Sequence, residues 1–308
     1  MSRTLAVVGA TATGKTAVAV AAALRLGGEV ISMDSRQVYR GMDIGTAKPA
    51  LEERKGVPHH GFDLVDPDQR FTAGDFARFA RRTIAEIEGR GQTPILAGGT
   101  GFYLRSLTHP IFRQPGLDPE PRERLRSLLA GLETERLRAW LLRLDPPMAE
   151  RLSSWGGRQR LLRALEMPLL TGYPLSWWQR KGEPEAAPLW PLVFVLEAPR
   201  EELDRRVEQR ARCMVEEGLV DEVRRLVANY GADAHGLKAH GYMELVPHLR
   251  GEITLEEALA AVVRDTARYQ RRQVTWFRNQ LGPEALRLDA SRPAGELASE
   301  LARAVSSS

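Results

Sequence analysis

The chain of 308 residues contains a single cysteine, Cys213, so it forms no intramolecular disulfide and cannot be a disulfide-framed secreted domain. No apolar run reaches the roughly 18 residues a membrane-crossing helix needs. The opening stretch, Met1–Leu26, is apolar but carries Gly14, Lys15 and Thr16 in its middle and has no small-residue cleavage site. It does not read as a secretory signal, and a cytoplasmic location is the expectation. Lysine is scarce, five of 44 basic residues, so arginine carries nearly all the positive charge. Genomic codon bias would produce that skew, and the planar guanidinium also suits phosphate. What is present is 43% hydrophobic and 27% charged residues, enough to bury a core. Such a balance excludes disorder, collagen and coiled coil as readings of the whole. A net charge of +4 permits a nucleic-acid partner without demanding one.

The length sets a prior of about two domains. Strand signals at Thr4–Val8, Glu29–Met33, Pro94–Ala97 and Leu192–Leu196 alternate with helical patterns at Ala17–Leu26 and Phe76–Glu88. That alternation predicts an α/β fold, a parallel sheet with helices on both faces. From Leu117 to Arg180 the pattern is helical throughout and bounded by prolines: Pro110, Pro115, Pro119 and Pro121 before it, Pro184, Pro188 and Pro191 after. We read residues 115–187 as a helical insertion and residues 1–114 with 188–308 as the core. Long helices are expected over Arg200–Tyr230 and Leu255–Asn279, then a short helix and a tail within Ser291–Ser308.

Gly9-Ala10-Thr11-Ala12-Thr13-Gly14-Lys15-Thr16 fits G-x-x-x-x-G-K-[ST] at every fixed position, directly after a strand and at the start of a helix. A chance match in a chain of this length has odds of roughly one in a hundred. The glycines let the backbone curl so that successive N–H groups and the helix N-terminus face an anion. Lys15 adds a mobile charge, and the Thr16 hydroxyl can join the shell of a magnesium ion. The loop is of the P-loop, nucleotide-binding type, yet the phosphates need not belong to ATP. A P-loop NTPase normally ends a second strand in aspartate to hold magnesium, whereas Pro94–Ala97 runs into Gly98-Gly99-Thr100-Gly101. The acid stands instead after the second strand, at Asp34, where it can take a proton from an attacking nucleophile or serve as a turn aspartate.

Ten segments resemble, in chain order, the tRNA dimethylallyltransferases, also called tRNA isopentenyltransferases. They are Gly9–Thr16, Asp34–Tyr39, Asp43–Pro49, His59-His60, Gly98–Tyr103, Arg158–Glu166, Arg210–Met214, Gly218-Leu219, Gly241-Tyr242 and Arg271–Arg278. The phosphate loop alone is promiscuous; the ordered set is specific. The resemblance implies a P-loop-like core and transfer of a dimethylallyl group from dimethylallyl diphosphate to N6 of the tRNA adenosine 3′ of the anticodon. The tRNAs concerned read codons beginning with U, and the enzyme is expected to be a Mg²⁺-dependent monomer. By residue, Asp34 is the base and Thr100 lies near the reacting centre, while Gly9 through Thr16 and Arg210 hold the donor's diphosphate. The resemblance assigns Asp34, Ser35, Arg36, Gln37, Thr100, Arg122, Gln159, Arg160, Leu161, Leu162, Arg163 and Arg271 to tRNA. Trp155-Gly156-Gly157 stands where the family usually carries an Asn-Asp pair, a departure next to the second RNA-contacting segment.

The target base must leave the anticodon-loop stack before it can react. Arg264, Arg268, Arg271 and Arg278 fall at helical steps on one stripe, readable as a phosphate-tracking surface or as a solvated face. Arg206 and Arg210 share a helix face, either as anion ligands or as partners of Glu202 and Glu208. His59-His60 is read as structural, since no second ligand cluster accompanies it. A P-loop kinase of a small metabolite or nucleoside is the alternative, and it leaves the later segments without a role.

Overall fold

The computed structural model describes residues 4–113, 116–153 and 157–306. It divides into two compact units, Met1–Thr108 with Leu189–Ser308, and His109–Pro188. The first unit opens with β1 (Leu5–Gly9), α1 (Lys15–Leu26), β2 (Gly28–Ser32), α2 (Leu51–Arg54), β3 (His59–His60), α3 (Ala73–Gly89), β4 (Thr93–Gly98) and α4 (Gly101–Thr108). The second unit holds α5 (Pro119–Ala130), α6 (Thr134–Leu144), α7 (Pro146–Ser153), α8 (Arg158–Thr171) and α9 (Leu175–Lys181). The first unit then resumes with β5 (Leu192–Glu197), α10 (Arg200–Glu216), α11 (Leu219–Tyr230), α12 (Val246–Leu249), α13 (Leu255–Gln280), β6 (Leu286–Asp289) and α14 (Ala294–Ser306).

All strand pairings are parallel, in the order β3-β2-β4-β1-β5-β6. Every residue of β1 is buried, because helices cover both faces of the sheet. Its side chains sort by the two-residue period of a strand. Leu5 and Val7 join Val30, Ile95 and Phe194 against α1 and α14, while Ala6 and Val8 join Ile31, Leu96 and Val195 against α3 and α4. Each fully buried Leu, Ile or Phe in these layers stabilises the unit by roughly 1.5–3 kcal/mol. A third apolar cluster lies beside the sheet, where Val38, Tyr39 and Met42 pack on Leu219, Val223, Leu226, Tyr242 and Leu245. The helical unit has a core of its own, including Leu129, Leu137, Leu141, Leu161 and Leu165.

The stretch Arg200–Tyr230 is two helices, not one. Gly218 sits between α10 and α11 at φ 101°, a left-handed conformation that glycine adopts without the clash a Cβ would bring. Strands β3 and β6 have no counterpart in the sequence reading. His59 and His60 form β3, where His60 Nε2 meets the Glu29 carboxylate at 2.6 Å and the His59 ring meets the Val57 carbonyl at 2.8 Å. Trp155 and Gly156 lie outside the described residues.

Candidate active site

Parallel sheets bind ligands at the carboxyl ends of their strands, and β1, β2 and β4 bring three loops together there. After β1, Gly14 takes φ 79° as the N-cap of α1, turning the chain so that the helix starts at Lys15. Thr13 is buried and its hydroxyl braces the Ala10 carbonyl at 2.8 Å. The Lys15 ammonium bonds the same carbonyl at 2.6 Å. Thr16 is exposed, and its hydroxyl has no partner among the described residues. After β2, Asp34 accepts the Arg36 N–H on Oδ1 at 2.8 Å, so it also makes the turn that the sequence allowed for. After β4, Gly98 approaches the Met33 carbonyl too closely for any Cβ, which lets the ends of β2 and β4 converge. The Thr100 hydroxyl then accepts the Ser35 N–H at 3.1 Å, joining the β4 end to the Asp34 turn.

These loops open on a cleft of about 910 Å³. Lys15, Thr16, Asp34, Arg206 and Arg210 line it, with Ile44, Pro49, Leu51 and Met214 supplying apolar wall. Arg210 is solvent-accessible in the cleft and has no hydrogen-bond or ion-pair partner among the described residues. Although the residue as a whole reaches solvent, crowding of its charged end by the cleft lowers the guanidinium from the ordinary value, with the Asp34 charge acting the other way. Burial likewise lowers the Lys15 ammonium to about 8, opposed by Asp34 and assisted by Arg210. Two cations held against their own desolvation, close enough to feel one carboxylate, make a site that an anion would stabilise. Of the two roles the sequence left open, Arg206 takes the ion pair, with Glu202 at 2.7 Å, and it also reaches the Ala12 carbonyl at 3.3 Å.

The outer wall, Asp43 to Ala50, is held from behind. Glu222 on α11 is 2% exposed and accepts the N–H groups of Asp43, Ile44 and Gly45 at 2.9–3.2 Å, and the Tyr242 hydroxyl at 2.6 Å. Gln37 donates to the Thr46 and Ala47 carbonyls, both at 3.1 Å, and accepts from Ser32 at 2.7 Å. Lys48 binds the Tyr39 carbonyl, Asp43 and Asp63, each at 2.7 Å. Gln37, assigned to RNA on sequence, is thus also a brace of the cleft wall. Thr11, assigned to the donor, spends its N–H on Gln273 at 2.9 Å.

On α13, Arg264, Arg268, Arg271 and Arg278 are all exposed. Arg264 and Arg268 lie by Asp265 at 3.6 and 3.2 Å. The interleaved aromatics turn inward, Phe277 into the core beside α4 and Trp276 against Gly101. In the helical unit, Gln159, Arg160 and Arg163 are exposed along α8. Leu161 differs: it is 2% exposed in that unit's core, so its side chain is committed to packing and cannot meet RNA. Arg122 is paired with Glu166 at 3.0 Å, and Arg126 joins the same carboxylate at 2.8 Å. The adjacent Arg163, exposed as a residue, has its guanidinium lowered by partial desolvation of its charged end, with Glu166 opposing and Arg122 and Arg126 adding to the effect.

The family model "IPP transferase" matches residues 37–280, and "Isopentenyl transferase" matches residues 2–60. A tRNA dimethylallyltransferase of Geobacter metallireducens is 47% identical over 278 residues, covering 90% of each chain. One of Syntrophobacter fumaroxidans is 46% identical over 297 residues, covering 95% of this chain and 85% of its own. The chain belongs to the tRNA dimethylallyltransferases. It is therefore a prenyltransferase enzyme, and the kinase alternative finds no support among these relatives. The crystal structure of the full-length tRNA isopentenylpyrophosphate transferase from Bacillus halodurans superposes with a TM-score of 0.72 at 36% identity, covering 100% of this chain and 98% of that one. A eukaryotic dimethylallyltransferase acting on tRNA gives 0.83 at 27% identity, over 100% and 79%. Four residues that shape this transferase cleft were not singled out as site residues in the sequence: Glu222, Tyr242, Gln270 and Gln273. Tyr242 and Gln273 fall inside segments that carry the resemblance, without a role assigned there, whereas Glu222 and Gln270 act on groups far along the chain and no local pattern marks them.

Proposed function

We propose that the enzyme transfers the dimethylallyl group of dimethylallyl diphosphate to N6 of the adenosine 3′ of the anticodon, in tRNAs reading codons that begin with U. The observation that carries this reading is the cleft itself, in which a phosphate loop and Arg210, unpaired among the described residues, share one cavity with Asp34 and an apolar wall. Diphosphate fits the cationic end, and a five-carbon chain fits Ile44, Pro49, Leu51 and Met214.

An exocyclic adenine amine is a weak nucleophile because its lone pair is delocalised into the ring. Asp34 holds the N6–H and accepts its proton as the N6–C1 bond forms. The C1–O bond breaks and its electron pair leaves with diphosphate, whose growing charge the loop N–H groups, Lys15 and Arg210 stabilise. Thr100, just before α4, would donate its hydroxyl proton to the bridging oxygen, a role that its bond to the Ser35 N–H leaves open. A magnesium ion would be held by the Thr16 hydroxyl, a hard oxygen without a partner among the described residues. When bound, the ion neutralises charge on the leaving group. On the RNA side, Ser35, Arg36, Gln37 and Arg271 of the core meet tRNA, as do Gln159, Arg160, Leu162 and Arg163 of the helical unit, which acts as an insertion. The enzyme works as a cytoplasmic monomer.

The test incubates the protein and Mg²⁺ with dimethylallyl diphosphate and an unmodified anticodon stem-loop, then weighs the RNA. A mass gain of one dimethylallyl group that requires the donor is the expected result. No gain, with ATP consumed on a small-molecule acceptor, would return the chain to the kinase reading.

A further inference from the structure

The buried positions of α13 are Ala258, Val262, Ala267, Gln270, Gln273 and Phe277, so two amides interrupt an otherwise apolar face. Both are almost fully enclosed, at 1% and 7% exposure, and a buried amide persists only where its hydrogen bonds are made. Gln273 Oε1 accepts the Thr11 N–H and its Nε2 donates to the Gly99 carbonyl, both at 2.9 Å. Gln270 Nε2 donates to the Thr11 carbonyl at 3.2 Å and to the Leu203 carbonyl of α10 at 3.3 Å. Thr11 is thereby gripped at its N–H and its C=O by one helix. A Cβ at position 99 would collide with the Gln273 amide, so the glycine there admits it.

The next residue, Ala12, has φ 66°. A non-glycine residue holds that left-handed conformation only where its surroundings over-determine it. Gln270 and Gln273 do so from the Thr11 side, and Arg206 does so from the Ala12 carbonyl. Without these restraints Ala12 would relax to negative φ and swing its neighbours' N–H groups out of the ring an anion requires.

We propose that Gln270 and Gln273 are positioning residues that hold the phosphate loop in its anion-binding shape, so that α13 sets the affinity for the donor's diphosphate. This rests on reading the loop as the diphosphate site.

The variants are Gln270→Met and Gln273→Met, near in volume and without the amide. Each is measured for inorganic diphosphate binding with Mg²⁺, donor KM and kcat, anticodon stem-loop Kd, and melting temperature. The expected result is a rise of at least about tenfold in diphosphate Kd and donor KM, with the stem-loop Kd moving less than about twofold. A purely structural role would lower the melting temperature without separating donor from RNA affinity. Unchanged diphosphate affinity in a folded variant, or loss of folding in both, overturns the proposal. Wild-type protein that binds no diphosphate refutes the underlying site reading instead, independently of either variant.

Discussion

At the scale of single residues, the cleft separates binding from chemistry. Asp34→Ala removes the proton acceptor but none of the groups that grip diphosphate. Turnover should fall at least about a hundredfold with donor Kd nearly unchanged; normal single-turnover rates in that variant would remove Asp34 from the mechanism. Lys15 gives the pH dependence. Its ammonium is lowered to about 8 in the free protein, and a diphosphate beside it favours the charged form and raises that value. Binding therefore takes up a proton above about pH 8, so donor affinity is full below that pH and declines as the pH rises through it. Calorimetric titration from about pH 7 to about 9.5 reads this directly, and Lys15→Met should flatten the curve. The glycine–lysine–threonine spacing made this end of the site legible in the sequence, because phosphate binding depends on contiguous residues. The brace behind the wall was not legible. Glu222 reads as one more charge on an amphipathic helix until Asp43, Ile44 and Gly45 come round to meet it.

At the scale of elements, that carboxylate is the buried anchor of the cleft wall, beside the braces Gln37 and Lys48 supply. Glu222→Ala strands the N–H groups of Asp43, Ile44 and Gly45 and the buried Tyr242 hydroxyl, and should cost at least about 2 kcal/mol of stability, with a raised donor KM. Equilibrium denaturation measures it, and a loss under about 1 kcal/mol would show that water replaces the carboxylate. Strands β1, β2, β4 and β5 were legible because burial on both faces writes short apolar runs into the sequence. Strand β3 is two histidines and β6 is Leu-Arg-Leu-Asp, edge segments whose pairing is decided by their neighbours rather than by their own composition. The α10–α11 break was hidden because Gly218 interrupts a helical pattern that continues in phase on both sides.

At the scale of the whole molecule, excess arginine on exposed helix faces makes RNA binding an electrolyte problem. If the α13 stripe meets three or four phosphates, the logarithm of tRNA affinity should fall with the logarithm of salt at a slope of about −3. Filter binding across a salt series tests it, and a flat response would assign those arginines to solvent. The sheet order carries one more consequence, for synthesis. Strand β1 leaves the ribosome first, yet one of its two neighbours, β5, begins only at Leu192, after the whole helical unit has emerged. The helical unit has its own core and local contacts, so it should fold while β1 still waits with an unpaired edge. We predict that the released fragment 1–188, which lacks β5, yields a protease-resistant piece spanning 109–188 and a digestible N-terminal segment; resistance of that segment would refute the order. The arrival of β5 thus decides when the open edge of β1 is covered, and until then the N-terminal segment is the part of the chain most exposed to aggregation.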